Sequence, residues 1–143
     1  MKFAKVLFLI FFITGCSKLS GHKKIDYDLS KLNETYIYAQ FFNMLVEPEE
    51  YEGKTIKIKG MFRPYLDYDE DGNEIRYYGC IVPDATACCY QGIEFEGPEG
   101  MVYPDDFPEF EQDIIVTGTF HQWEDKNGYT RTWLINTTLE FQK

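Results

Sequence analysis

Histidine is nearly absent from this chain, with two among 143 residues. His22 lies in a polar stretch near the N-terminus and His121 between Phe120 and Gln122. Neither a His-rich metal site nor a Ser-His-Asp or Cys-His series can be read from so few, and the expectation is a chain without catalysis. Basic residues are also scarce: 14 Lys and Arg face 24 Asp and Glu, for a formal net charge of −10. A charge of that sign repels phosphate backbones. The only basic stripe is Lys54, Lys57 and Lys59, so the expectation is that nucleic acid is not a partner. No apolar run approaches the about 20 residues that a membrane-spanning helix requires. Cysteine is rare too, with four in all, but three of them fall at positions 80, 88 and 89.

Aromatic residues, in contrast, are plentiful. Twelve phenylalanines and eleven tyrosines exclude a disordered chain and suit a dense β core. The N-terminus supplies the address. Lys2 and Lys5 precede the short apolar run "VLFLIFFI", Val6 to Ile13, which together have the form of a secretory signal. Ile13-Thr14-Gly15-Cys16 then resembles the bacterial lipobox, in which the cysteine is diacylated and becomes the first mature residue. The expected organisation is a signal peptide over 1–15, a lipidated flexible tether over 16–33 and one domain over 34–143. Cys16 is the expected lipidation site, and the lipid bilayer a partner through it. The mature chain would hold 12 basic against 24 acidic side chains, at the extracytoplasmic face of a bacterial cell membrane.

Residues 17–33, "SKLSGHKKIDYDLSKLN", show no apolar period and read as tether. "TYIY" reads as a short β-like start. "AQFFNMLV" has helical spacing, with Phe42, Leu45 and Val46 on one side. "KTIKIKGMFR" alternates Ile56 and Ile58 against Lys57 and Lys59, a half-buried strand, and Gly60 marks a bulge where it coils. Asp71-Gly72 and Asn127-Gly128 are hairpin signals. "IRYYGCIV", "YQGIEFE", "DIIVTGTFHQW" and "YTRTWLINTTLEF" are further strands, and the prolines of "MVYPDDFPEFEQ" make it a surface loop. Five to six strands with one short helix predict a mainly β fold, a small OB-like barrel.

Three segments, "EPEEYEGKTIKIKGMF", "DATACCYQGIEF" and "YPDDFPEFEQDIIVTGTF", resemble a family of bacterial OB-fold-like lipoproteins. The likeness runs through nearly all of residues 35–141. The Cys88-Cys89 doublet beside "DATA" is also similar, more distantly, to the soluble domain of a family of permease subunits linked to metal homeostasis. The resemblance implies a small barrel outside the cytoplasm and brings no established activity with it.

The thiols are the sharpest chemical signal. Cys80, Cys88 and Cys89 form a C-x7-C-C pattern, unlike the C-x2-C spacing of structural zinc sites. On a strand, Cys88 and Cys89 would point to opposite faces, so a shared zinc or copper(I) ion needs them in a loop. His121 or water could complete such a site. A disulfide from Cys80 to Cys88 or Cys89 is open as well, as are buried free thiols. Asp67-x-Asp69-x-Asp71-Gly72 begins like a calcium loop, but Tyr78 stands where the bidentate Glu belongs, and a solvated hairpin tip is expected. Trp123 and Trp133 fit either packing or an OB-type binding face. The functional expectation is a lipid-anchored, non-catalytic binding or adaptor module for a protein or small molecule, with thiol-based metal binding as the alternative.

Overall fold

The computed structural model describes residues 24–69, 71–124 and 128–142. The signal-peptide and lipidation readings, Cys16 included, lie outside these residues, as does part of the Asn127-Gly128 turn. In chain order the elements are β1 (Tyr27–Asp28), α1 (Glu34–Val46), a 3-10 turn (Pro48–Glu50), β2 (Thr55–Tyr68), β3 (Glu74–Pro83), β4 (Tyr90–Phe95), β5 (Asp113–Glu124) and β6 (Thr130–Phe141).

One sheet runs β1-β2-β3-β4-β6-β5, and β5 returns to pair with β2. The last five strands therefore close into a barrel with β1 added outside it. Within the barrel β4 and β6 are parallel and every other pair is antiparallel, the strand order of an OB-like barrel. Closure removes the unpaired edges that an open sheet would expose.

β2 makes closure possible by serving two neighbours. Its first half, Thr55 to Met61, pairs with β5, and from Met61 to Tyr68 it pairs with β3. Gly60 stands at the changeover, where an added Cβ would lie 2.6 Å from the Ile81 carbonyl oxygen and 2.7 Å from Cys80 Sγ. The strand coils there, as its glycine predicted, but in continuous register. The bulge sits elsewhere, between β5 and β6 across Thr117 and Thr119, where Asn136 takes a φ of 52°. Asparagine tolerates that left-handed conformation better than most residues.

Buried residues alternate along the start of β2 and along β4 and β5, while β3 is buried continuously from Tyr78 to Val82. Phe62, Val82, Ile93, Phe95, Ile114, Val116, Phe120 and Leu134 are buried in the barrel. Each such side chain contributes about 1.5–3 kcal/mol by leaving water. The Pro-rich segment between β4 and β5 forms turns, as expected, and sends Phe107 into the core. Its ring stacks on Tyr78 at 4.4 Å and meets Phe62 at 5.9 Å.

The helix differs from its expected form in length and in face. "TYIY" belongs to α1, whose first turn is capped by Asn33, with its side-chain oxygen accepting from the Tyr36 N–H at 3.1 Å. The buried positions are Ile37, Phe41 and Met44, against β3 and β4, while Phe42, Leu45 and Val46 face outward. Both sets have helical spacing; only tertiary packing decides between them.

The tether also ends earlier than expected. Tyr27 and Asp28 pair in parallel with Ile56 and Lys57 of β2. The Asp26 carboxylate accepts from the Thr55 N–H at 2.9 Å, and Leu29 is buried. Residues 26–33 thus belong to the folded body. The two-residue strand was invisible because it is too short to show an alternating pattern.

Candidate functional site

The structure does not bring the three thiols together. Cys80 lies on β3 opposite Ile93 and is fully buried against Gly60. Burial pushes its thiol pKa up to about 12, so at neutral pH it is a small apolar core residue. Cys88 and Cys89 are exposed in the loop that follows Pro83. Three strand residues separate Cys80 from that loop, about 10 Å at 3.3 Å per residue. Both the three-thiol metal site and a disulfide from Cys80 to Cys88 or Cys89 are corrected on this geometry: all three cysteines are free.

The loop nevertheless gathers two thiols. Cys88 Sγ and Cys89 Sγ stand 3.6 Å apart, which adjacent cysteines on a regular strand could not achieve. A carboxylate supplies the third group. Asp84 Oδ1 accepts from the backbone N–H groups of Thr86 and Cys88, at 3.1 and 3.0 Å. Asp84 Oδ2 is thereby turned toward Cys88 Sγ, at 3.4 Å. The Thr86 hydroxyl lies between them, 3.0 Å from Cys88 Sγ and 3.2 Å from Oδ2. Ala87 holds the doublet in position at a φ of 54°, a left-handed conformation that costs an L-residue about 1–2 kcal/mol.

Electrostatics follow from this crowding. Desolvation is the largest single influence on Asp84 and acts upward. The hydrogen bonds from Cys88, Cys89 and Thr86 together outweigh it and hold the carboxyl below its ordinary range. Cys89 is raised, first by its hydrogen bond with Cys88 and then by the charges of Cys88 and Asp84.

The other sequence candidates resolve into local structure. Asp69 accepts from the N–H groups of Asp71 and Asn73 and from the Asn73 side chain, and Gly72 turns the chain at a φ of 82°. This is the expected hairpin tip, made by an Asx-type turn. His121 Nδ1 lies 2.9 Å from Glu52 Oε1, on the outer side of β5. Among the described residues it is not part of the thiol loop's cluster.

A second feature lies on the outer surface of β2 to β6, where the sequence leaves packing and binding as alternatives. Tyr65 and Tyr77 pair across β2 and β3 and stack at 5.2 Å. Trp123 and Trp133 meet at 6.5 Å on β5 and β6. Between the two ring pairs stands Glu94, in register with Gly79 on one side and Trp133 on the other. Partial burial pushes its carboxyl above the ordinary value, with Arg131 pulling the other way. Burial raises Tyr77 as well, and the nearby Glu94 carboxylate raises it further. Glycines keep this surface low: a Cβ on Gly79 would lie 2.9 Å from the Tyr65 ring, and one on Gly92 2.4 Å from Ile81 Cδ1. The Trp133 indole nitrogen is buried there without a hydrogen-bond partner among the described residues. Residues on facing strands compose this surface, so no contiguous motif announces it; the outward parity of each strand is its only sequence signal.

No protein-family model matches the chain, and no curated protein does, so the resemblance to the lipoproteins and permease subunits stands on the quoted segments alone. Among solved structures, the chain is similar to a Plasmodium falciparum SSB in complex with ssDNA. The identity is 16%, over 62% of this chain and 94% of that one, with a TM-score of 0.39. The expectation that nucleic acid is not a partner is withdrawn, since that neighbour is in complex with ssDNA. A likeness this weak does not say what this chain binds.

Proposed function

We propose that the chain is a lipid-anchored extracytoplasmic lipoprotein whose OB-like barrel is a non-catalytic binding module. The ligand would meet the outer surface of the barrel between Tyr65 on β2 and Trp123 on β5, across β3, β4 and β6. One observation carries this reading: two aromatic pairs flank a half-buried carboxylate on the outside of a barrel whose core is already filled. Rings on a surface expose apolar area that a ligand can cover, and Glu94 with Arg131 offers polar contacts of both signs within it. Lys2, Lys5, the apolar run and Gly15-Cys16 support the address, and two acyl chains suffice for stable anchoring.

Two measurements test it. A fatty-acid analogue should label the wild type and not Cys16→Ser, which should leave the membrane fraction; equal labelling would remove the anchor. A photo-crosslinking residue in place of Trp123 should trap a partner in intact cells. The same residue in place of exposed Tyr36 on α1 should not. Equal trapping at both positions, or none at either, would remove the binding surface.

A further inference from the structure

We infer that the β3–β4 loop is a binding site for a soft divalent cation of the zinc type, held by the thiolates of Cys88 and Cys89 and by Asp84 Oδ2. This inference is independent of the reading of the outer surface.

The distances carry it. Two sulfurs bound at about 2.3 Å to one tetrahedral ion stand about 3.8 Å apart, and a sulfur and a carboxylate oxygen about 3.5 Å. The observed separations are 3.6 Å for Cys88 Sγ to Cys89 Sγ and 3.4 Å for Cys88 Sγ to Asp84 Oδ2. One carboxylate oxygen of Asp84 and the two sulfurs all lie within 4.8 Å of one another, which bounds the third edge. Two of the three edges have the spacing of a tetrahedron's face.

The second layer is built too. Two backbone N–H groups fix Asp84 through Oδ1 and leave Oδ2 to face Cys88 Sγ and the Thr86 hydroxyl, the kind of support that orients a metal ligand. Thiolates select zinc-type ions over calcium or magnesium, and the single carboxylate suits zinc better than copper(I). On binding, each thiol passes its proton to solvent as a sulfur–metal bond forms. Three protein ligands leave the fourth position for water or for a group brought by another molecule.

The test uses the full chain carrying Cys16→Ser, reduced and stripped of metal, so that Cys80, Cys88 and Cys89 are its only thiols. Cobalt(II) should produce a thiolate-to-metal charge-transfer band that saturates at one equivalent and is bleached by zinc. Cys88→Ser and Cys89→Ser should each weaken zinc binding by about tenfold or more, and so should Asp84→Asn, whose remaining Oδ1 still accepts the two N–H groups. Zinc should also protect Cys88 and Cys89 from alkylation, read by mass spectrometry, while buried Cys80 stays unmodified throughout. No charge-transfer band, alkylation indifferent to zinc, or undiminished affinity in either cysteine variant would overturn the site. Undiminished affinity in Asp84→Asn would overturn the carboxylate ligand.

Discussion

Leu29→Ala tests whether the segment before α1 is part of the fold. Leu29 is 4% exposed and belongs to the core cluster, and its N–H donates to the Lys57 carbonyl at 2.7 Å. Truncation to alanine removes three carbons, about 2.4 kcal/mol at ~0.8 kcal/mol each. Incomplete collapse of the space left behind adds to this, which gives about 3 kcal/mol, within the range for buried leucines. Leu32, three residues on and 38% exposed, serves as the control; its truncation should cost less than about 0.5 kcal/mol. Equilibrium urea unfolding of the full chain with Cys16→Ser measures both, and an unchanged m-value shows that the comparison concerns stability alone. If Leu29→Ala and Leu32→Ala both fall within about 0.5 kcal/mol of the parent, residues 26–33 are tether and the docking of β1 on β2 is refuted.

Glu94 supplies a pH dependence of definite sign. Its folded pKa lies above the ordinary 4.5, chiefly through burial, so the folded state carries no desolvation cost while the group is protonated and acquires one as pH rises through that raised value. Glu94→Gln should therefore stabilise the protein relative to wild type more at pH 7 than at pH 4, as read from melting temperatures; a larger benefit at pH 4 would contradict the assignment. Gly60→Ala should destabilise by about 1–3 kcal/mol in the same urea assay, because the new methyl meets the Ile81 backbone oxygen at 2.6 Å, which cannot rotate away. A neutral outcome would mean that β2 has freedom to shift at its changeover.

The barrel is legible because three of its strands carry their own period. Ile56 and Ile58, Ile93 and Phe95, and Ile114 and Val116 all alternate inward as strands must. The sequence pattern is silent where a residue's neighbours come from distant parts of the chain. Helical spacing fits 42, 45 and 46 as well as 37, 41 and 44, and only the position of β3 and β4 selects the second set. The site was partly legible for the same reason. Cys88 and Cys89 needed a loop to meet, and they are in one. Cys80 drew attention by composition, yet its place in the inward parity of "YYGCIV", beside buried Tyr78 and Val82, marks it as core. Asp84 carries no signal of its own, because its carboxylate becomes a partner of the thiols through backbone hydrogen bonds that no residue pattern displays.

β4 joins the two features and also keeps them apart. It begins at Tyr90, directly after the thiol doublet, and carries Glu94 near its other end. Five residues of extended chain separate Cys89 from Glu94, about 16 Å at 3.3 Å per residue. At that distance two sites without shared partners respond nearly independently. Metal at the loop would neither screen the Glu94 carboxylate nor crowd the rings around it. It would instead fasten the β3–β4 turn, between the two strands that α1 contacts. The loop and the outer surface therefore place their demands on different ends of a single strand, and a ligand on one leaves the other free.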